Sequence, residues 1–75
     1  MNEPFILAVD FQGSEHEFKA RFERWGYTHR IAVLIDEETL VFEPDEEGKY
    51  RALGNSTTPV SLMEAIAQKL RTLQD

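Results

Sequence analysis

Seventy-five residues, 41 % of them apolar and 11 % aromatic, make one small domain with a thin core. That inventory is too rich for a disordered segment. A formal charge of −6, from 14 acidic and eight basic side chains, argues against general affinity for nucleic acid or anionic membranes, which both need cations. The absence of cysteine excludes a disulfide framework and a cysteine-ligated zinc site, leaving packing and a possible second subunit to stabilise the fold.

The chain opens with Glu3 where a signal peptide carries a cation, and its apolar run over residues 5–9 is too short for a membrane span. A cytoplasmic location is the expectation. Phe5, Leu7, Val9 and Phe11 alternate with Ile6, Ala8, Asp10 and Gln12, the period-two pattern of a first strand, and the sequence QGSE then supplies a turn. Alternation resumes from His16, with Phe18, Ala20 and Phe22 on one face and Glu17, Lys19, Arg21 and Glu23 on the other, so one face of the second strand is expected to be core and the other wet.

Gly26 between two large aromatics in RWGYT marks a turn or bulge. A third strand follows from about His29, with Ile31, Val33 and Ile35 facing one way and Ala32 and Leu34 the other; a strand apolar on both faces is expected to be covered on both. Residues 36–39 form a short turn into a fourth strand, LVFE.

The stretch PDEEG, residues 44–48, poses the sharpest choice in the sequence. Glu43, Asp45, Glu47 and Gly48 fall at positions 1, 3, 5 and 6 of an EF-hand-like loop. Position 12, however, is Gly54 instead of a bidentate Glu, position 1 is Glu, and both flanks are β-like. Pro44 and Gly48 instead have the φ preferences of a hairpin turn joining strands four and five, so no metal site is expected there.

After GNSTTP, Thr58 is expected to cap a helix with Pro59 in its first position, and Ser61 with Glu64 offers a capping box. Leu62, Ile66, Leu70 and Leu73 recur at helical spacing and form a stripe to bury. The sequence thus predicts a single α+β domain over residues 1–75: an antiparallel β-meander of four to five strands over about residues 4–54, with one C-terminal helix over about 59–73 packed on one face.

No catalytic constellation emerges. His16 and His29 lie among charged neighbours with no second His or Cys beside them, and read as solvated surface residues; the serines sit at turns and caps, and the glycines are too scattered to cradle a phosphate. The carboxylates cluster on turns in water, where none is desolvated for acid or base work. The expectation is a non-enzymatic protein with no cofactor, acting through contacts with a protein partner.

Two surfaces stand out. In KARFERWGYTHR, residues 19–30, Arg21, Arg24 and Arg30 interleave with Trp25 and Tyr27, the mixture found where aromatic hot spots make protein contacts. The same mixture serves single-stranded nucleic acid, the alternative reading, although Glu17 and Glu23 dilute it. The second surface is the sheet face that one helix leaves uncovered, where Ile6, Ala8, Ala32, Leu34 and Val41 would meet water. Either a homodimer packs sheet on sheet there, with its two-fold near Leu34, or the sheet curls into a half-barrel that buries both sets of residues within one chain.

Overall fold

The computed structural model describes residues 3–54 and 57–73, with Trp25 described for its backbone alone. Five strands run in chain order, β1 (Phe5–Phe11), β2 (Ser14–Trp25), β3 (Thr28–Ile35), β4 (Glu38–Pro44) and β5 (Tyr50–Leu53), and α1 (Val60–Thr72) follows. Each strand pairs antiparallel with the next, so the sheet order is β1-β2-β3-β4-β5. This is the expected α+β meander, with all five strands formed.

Tight turns set the register. Phe11 pairs with Ser14 across Gln12 and Gly13, both at positive φ (53° and 78°), the geometry that matches the right-handed twist of a two-residue hairpin. Trp25 pairs with Thr28 across Gly26 and Tyr27, with positive φ (60°) at Gly26 alone, so RWGYT is a two-residue turn and not a bulge. These registers place Leu7, Val9, Ala20, Ile31, Val33, Leu40, Phe42 and Tyr50 on one face, where all are buried.

The helix adds Ile66 and Leu70 to that core, with Leu62, Met63, Ala65 and Ala67 packed partly against it. Its start differs from expectation. Pro59 is the N-cap, with ψ at 141°, and its carbonyl accepts the amide of Met63 at 3.0 Å; no side chain caps the helix. Thr58 donates its hydroxyl to Glu38 on β4 instead, at 3.4 Å, which ties the approach to the helix to the sheet. Leu73 falls beyond the last turn and is exposed, so the buried stripe is shorter than the sequence periodicity suggests.

Among the strands, α1 lies closest to β1 and β5, the two edges. A helix laid on a flat sheet would sit over the middle strands at roughly 10 Å. The sheet therefore curls around the helix, which fills the seam between its edges, and its faces become one concave and one convex. Curling does not bury the second set as it does the concave one: Ala32 is buried, Ala8 and Val41 are half-buried, and Ile6 and Leu34 remain exposed on the convex side.

Candidate functional site

The β2–β3 hairpin carries Arg21, Arg24, Trp25, Tyr27 and Arg30, but strand alternation separates them. Arg21 and Arg30 stand on the convex face, whereas Arg24 shares the concave parity of Phe22 and pairs in register with His29. Tyr27 lies at the turn tip, fully exposed. The Trp25 side chain lies outside the described residues.

Three of the convex cations already have carboxylate partners. Arg21 donates to Glu23 at 3.2 Å, and Glu43 on β4 receives Arg30 from β3 at 3.3 Å and Arg51 from β5 at 3.7 Å. Glu23, Arg30, Glu43 and Arg51 thus form a row of alternating sign across four adjacent strands, each residue opposite a neighbour of opposite charge. A continuous basic face does not result.

At the same end of the sheet, the concave side holds a chain of rings that the sequence reading missed. Phe5 stacks on Phe22 at 5.5 Å, Phe22 meets His29 at 5.6 Å, and His29 meets Tyr50 at 5.9 Å. His29 Nε2 and the Tyr50 hydroxyl are 2.7 Å apart and hydrogen-bonded. His29 is therefore a half-buried member of the sheet interior instead of a solvated surface residue; its parity with Ile31 and Val33 was the available signal. His16, by contrast, is exposed, between the rings of Phe11 and Phe18. Phe22, expected in the core, is 38 % exposed because it lies outside the cluster packed with the helix. With Arg24, Tyr27 and His29 it lines a shallow groove beside the turn.

The convex face carries the other expected surface. Ile6, Lys19, Leu34 and Thr39 form one row across β1–β4, and Arg21, Ala32, Val41 and Leu53 the next across β2–β5. Ile6 is 56 % and Leu34 42 % exposed, whereas Ala32 is sheltered by its longer neighbours and forms the floor of a groove walled by Pro4, Lys19, Arg21, Leu34 and Thr39. Leu53 extends the patch onto β5, a member that the odd parity of Val41 and Glu43 one strand away could have indicated. Along β2 the convex positions read Glu15, Glu17, Lys19, Arg21, Glu23: two anions, two cations, one anion.

The acidic stretch is the β4–β5 turn. One oxygen of Asp45 accepts the amides of Glu47 (2.8 Å) and Lys49 (2.9 Å), while its backbone amide donates to the Lys49 carbonyl and its carbonyl accepts from Gly48. The Lys49 amide, helped by that of Glu47 and by the charges of Lys49 and Arg51, holds the Asp45 carboxyl below its ordinary value near 3.8. That carboxylate braces the turn. Among the described residues no three His, Asp or Glu side chains gather as a metal site, and no helix is long and apolar enough to cross a membrane. Compared with protein-family models, curated proteins and solved structures, the chain matches none.

Proposed function

We propose that this acidic protein is a cytoplasmic, non-enzymatic binding module that works through protein contacts, and that the convex face of its sheet is the contact surface. The observation that carries this reading is the row of Ile6 and Leu34, large aliphatic side chains held in water on regular strands while smaller apolar neighbours extend the patch over Ala32, Val41 and Leu53. A thin-cored domain gains stability by burying apolar surface, so leaving such residues outside favours a partner that covers them. The charged row beyond the patch supplies a polar rim, as protein interfaces commonly have.

A second reading, a single-stranded nucleic-acid module, draws on Phe22, Arg24 and Tyr27 beside the β2–β3 turn, since bases stack on exposed aromatics. It is the weaker of the two, because Arg21, Arg30 and Arg51 are each within ion-pair distance of a carboxylate.

A photo-crosslinking amino acid at position 34, illuminated in native lysate, tests the first reading against a control at position 46 in the exposed acidic turn. Protein adducts, with itself or with another chain, are expected at position 34 and not at 46. Adducts only to nucleic acid, or none at position 34, would overturn it.

A further inference from the structure

We infer that the occupant of the convex face is a second copy of this chain, related by a two-fold axis that crosses β2 between Glu17 and Lys19. The inference rests on the reading of the convex face as a protein contact, and deepens it by naming the partner.

The argument starts from charge order. The convex side of β2 presents Glu15 and Glu17 followed by Lys19 and Arg21. A block of two anions and two cations is its own complement when run antiparallel against itself: a two-fold at its centre sets Glu17 over Lys19 of the other copy and Glu15 over Arg21, and symmetry repeats both pairs. The alternative two-fold, parallel to the strands along β2, would oppose Lys19 to Lys19 and Glu17 to Glu17. Like charges opposed across an interface suppress association, so the axis across the strands is selected.

The apolar residues agree with this placement on the β1 side. Ile6 lies on β1 and Leu34 on β3, one strand to either side of Lys19 and in its row. The same two-fold sets Ile6 over Ala8 of the other copy, a contact that symmetry repeats, and carries Leu34 past the end of β3, over the β3–β4 turn at Asp36. Closed two-fold pairing also leaves no second copy of the contact open for further growth.

Curvature limits the strength of the pair. Two convex sheets meet along a stripe, here β1, β2 and β3, instead of over all five strands. Three strands about 4.8 Å apart and nine residues about 3.3 Å each give a footprint of roughly 400 Å². That is below the roughly 800 Å² per partner of a standard complex, so the pair is expected to be weak and transient, with a dissociation constant on the order of 10 µM or above. Charge order moves the axis from Leu34, on the central strand, to β2.

Charge reversal tests the axis directly. One variant carries Glu15→Lys and Glu17→Lys, a second Lys19→Glu and Arg21→Glu; circular dichroism checks that these exposed substitutions leave the fold intact, and the single variants Glu17→Lys and Lys19→Glu serve if a double variant unfolds. Sedimentation equilibrium at 10–500 µM (about one to fifty times the expected constant) should give a dimeric parent and, for each variant alone, dimerisation weakened by about 100-fold or more. The equimolar mixture should recover a one-to-one heterodimer, because every opposed pair is then of opposite sign. A parent monomeric at 500 µM on that same scale would overturn the second copy as occupant while leaving the crosslinking test of the face unaffected. A parent dimer that survives either reversal, or a mixture that stays monomeric, would overturn the two-fold across β2.

Discussion

Ile66 is the residue on which attachment of the helix depends most. It is fully buried at the centre of α1, packed in one cluster with the concave faces of the strands, and the other fully buried helical residue is Leu70, one turn later. Truncation of Ile66 to Ala removes the transfer free energy of three carbons and leaves a cavity, a loss of about 2–5 kcal/mol. A domain of this length has a total stability of only about 4–11 kcal/mol at the usual 0.05–0.15 kcal/mol per residue. Taking about 3 kcal/mol as the loss, and about 4–8 °C per kcal/mol for a domain of this size, the melting temperature should fall by roughly 12–24 °C. Thermal melts followed by far-UV circular dichroism, together with urea titrations to check that the slope is unchanged, measure this directly. Ile66→Val, which removes a single methyl, should cost about 0.5–1.5 kcal/mol and calibrate the series. The packing argument is refuted if Ile66→Ala melts within two or three degrees of the parent, or if Leu73→Ala, at an exposed position after the helix, costs as much as Ile66→Ala.

Three other predictions rest on single interactions. Tyr50→Phe removes the hydroxyl bonded to His29 and should cost about 1 kcal/mol in urea unfolding with no loss of ring packing; an unchanged midpoint would mean the bond contributes nothing. Asp45 has a depressed folded pKa, so its contribution is complete above the unfolded value near 3.8 and is lost as pH falls through the folded value: the parent should exceed Asp45→Asn in stability at about pH 6, the gap should close progressively as pH is lowered through the acid range, and a gap unchanged in acid would refute the charged brace. Gly26→Ala should cost about 1–2 kcal/mol from backbone conformation alone, since φ is +60° and an added Cβ meets no atom within 4 Å; semisynthetic D-alanine there should restore or exceed parent stability, and equal melting of all three would show that the turn relaxes.

Much of this architecture was legible because strand parity is a strict code. Once Phe5, Leu7 and Val9 alternate with Ile6 and Ala8, and the turns at Gly13 and Gly26 fix the register, every later residue has a face. Curvature was not legible, since it depends on how far a 13-residue helix reaches across the sheet, and no local pattern encodes that distance. Phe22 shows the consequence: its parity is that of the core, yet it extends past the packed cluster and stays 38 % exposed. His29 shows the converse. Charged neighbours in sequence suggested solvent, but neighbours in sequence point to the opposite face of a strand, and the rings beside it on its own face are those of Phe22 and Tyr50. The candidate cationic surface was misgrouped for the same reason, because Arg21 and Arg24 are odd and even positions of one strand.

The position of the helix also bears on which surface is free to bind. A five-stranded meander that did not curl would present β1 and β5 as open edges, and β1, seven residues with alternating large apolar side chains, would be a ready template for strand addition. Because α1 lies in the seam between those edges, pairing there would have to displace Ala65 and Lys69 from beside Val9 and Asp10, and Arg71 from beside Tyr50. The helix fills the concave face except at its two ends, where Phe22 and His16 stay exposed. The convex face is therefore an apolar surface left open among the described residues, and in the proposed pair curvature keeps its contact area small while charge order along β2 decides orientation. Ion pairs at such an exposed interface add little affinity of their own, but the four that reverse sign in a misaligned pair make the wrong orientation costly. In the proposed pair the aliphatic residues hold the second copy and the charges choose how it sits.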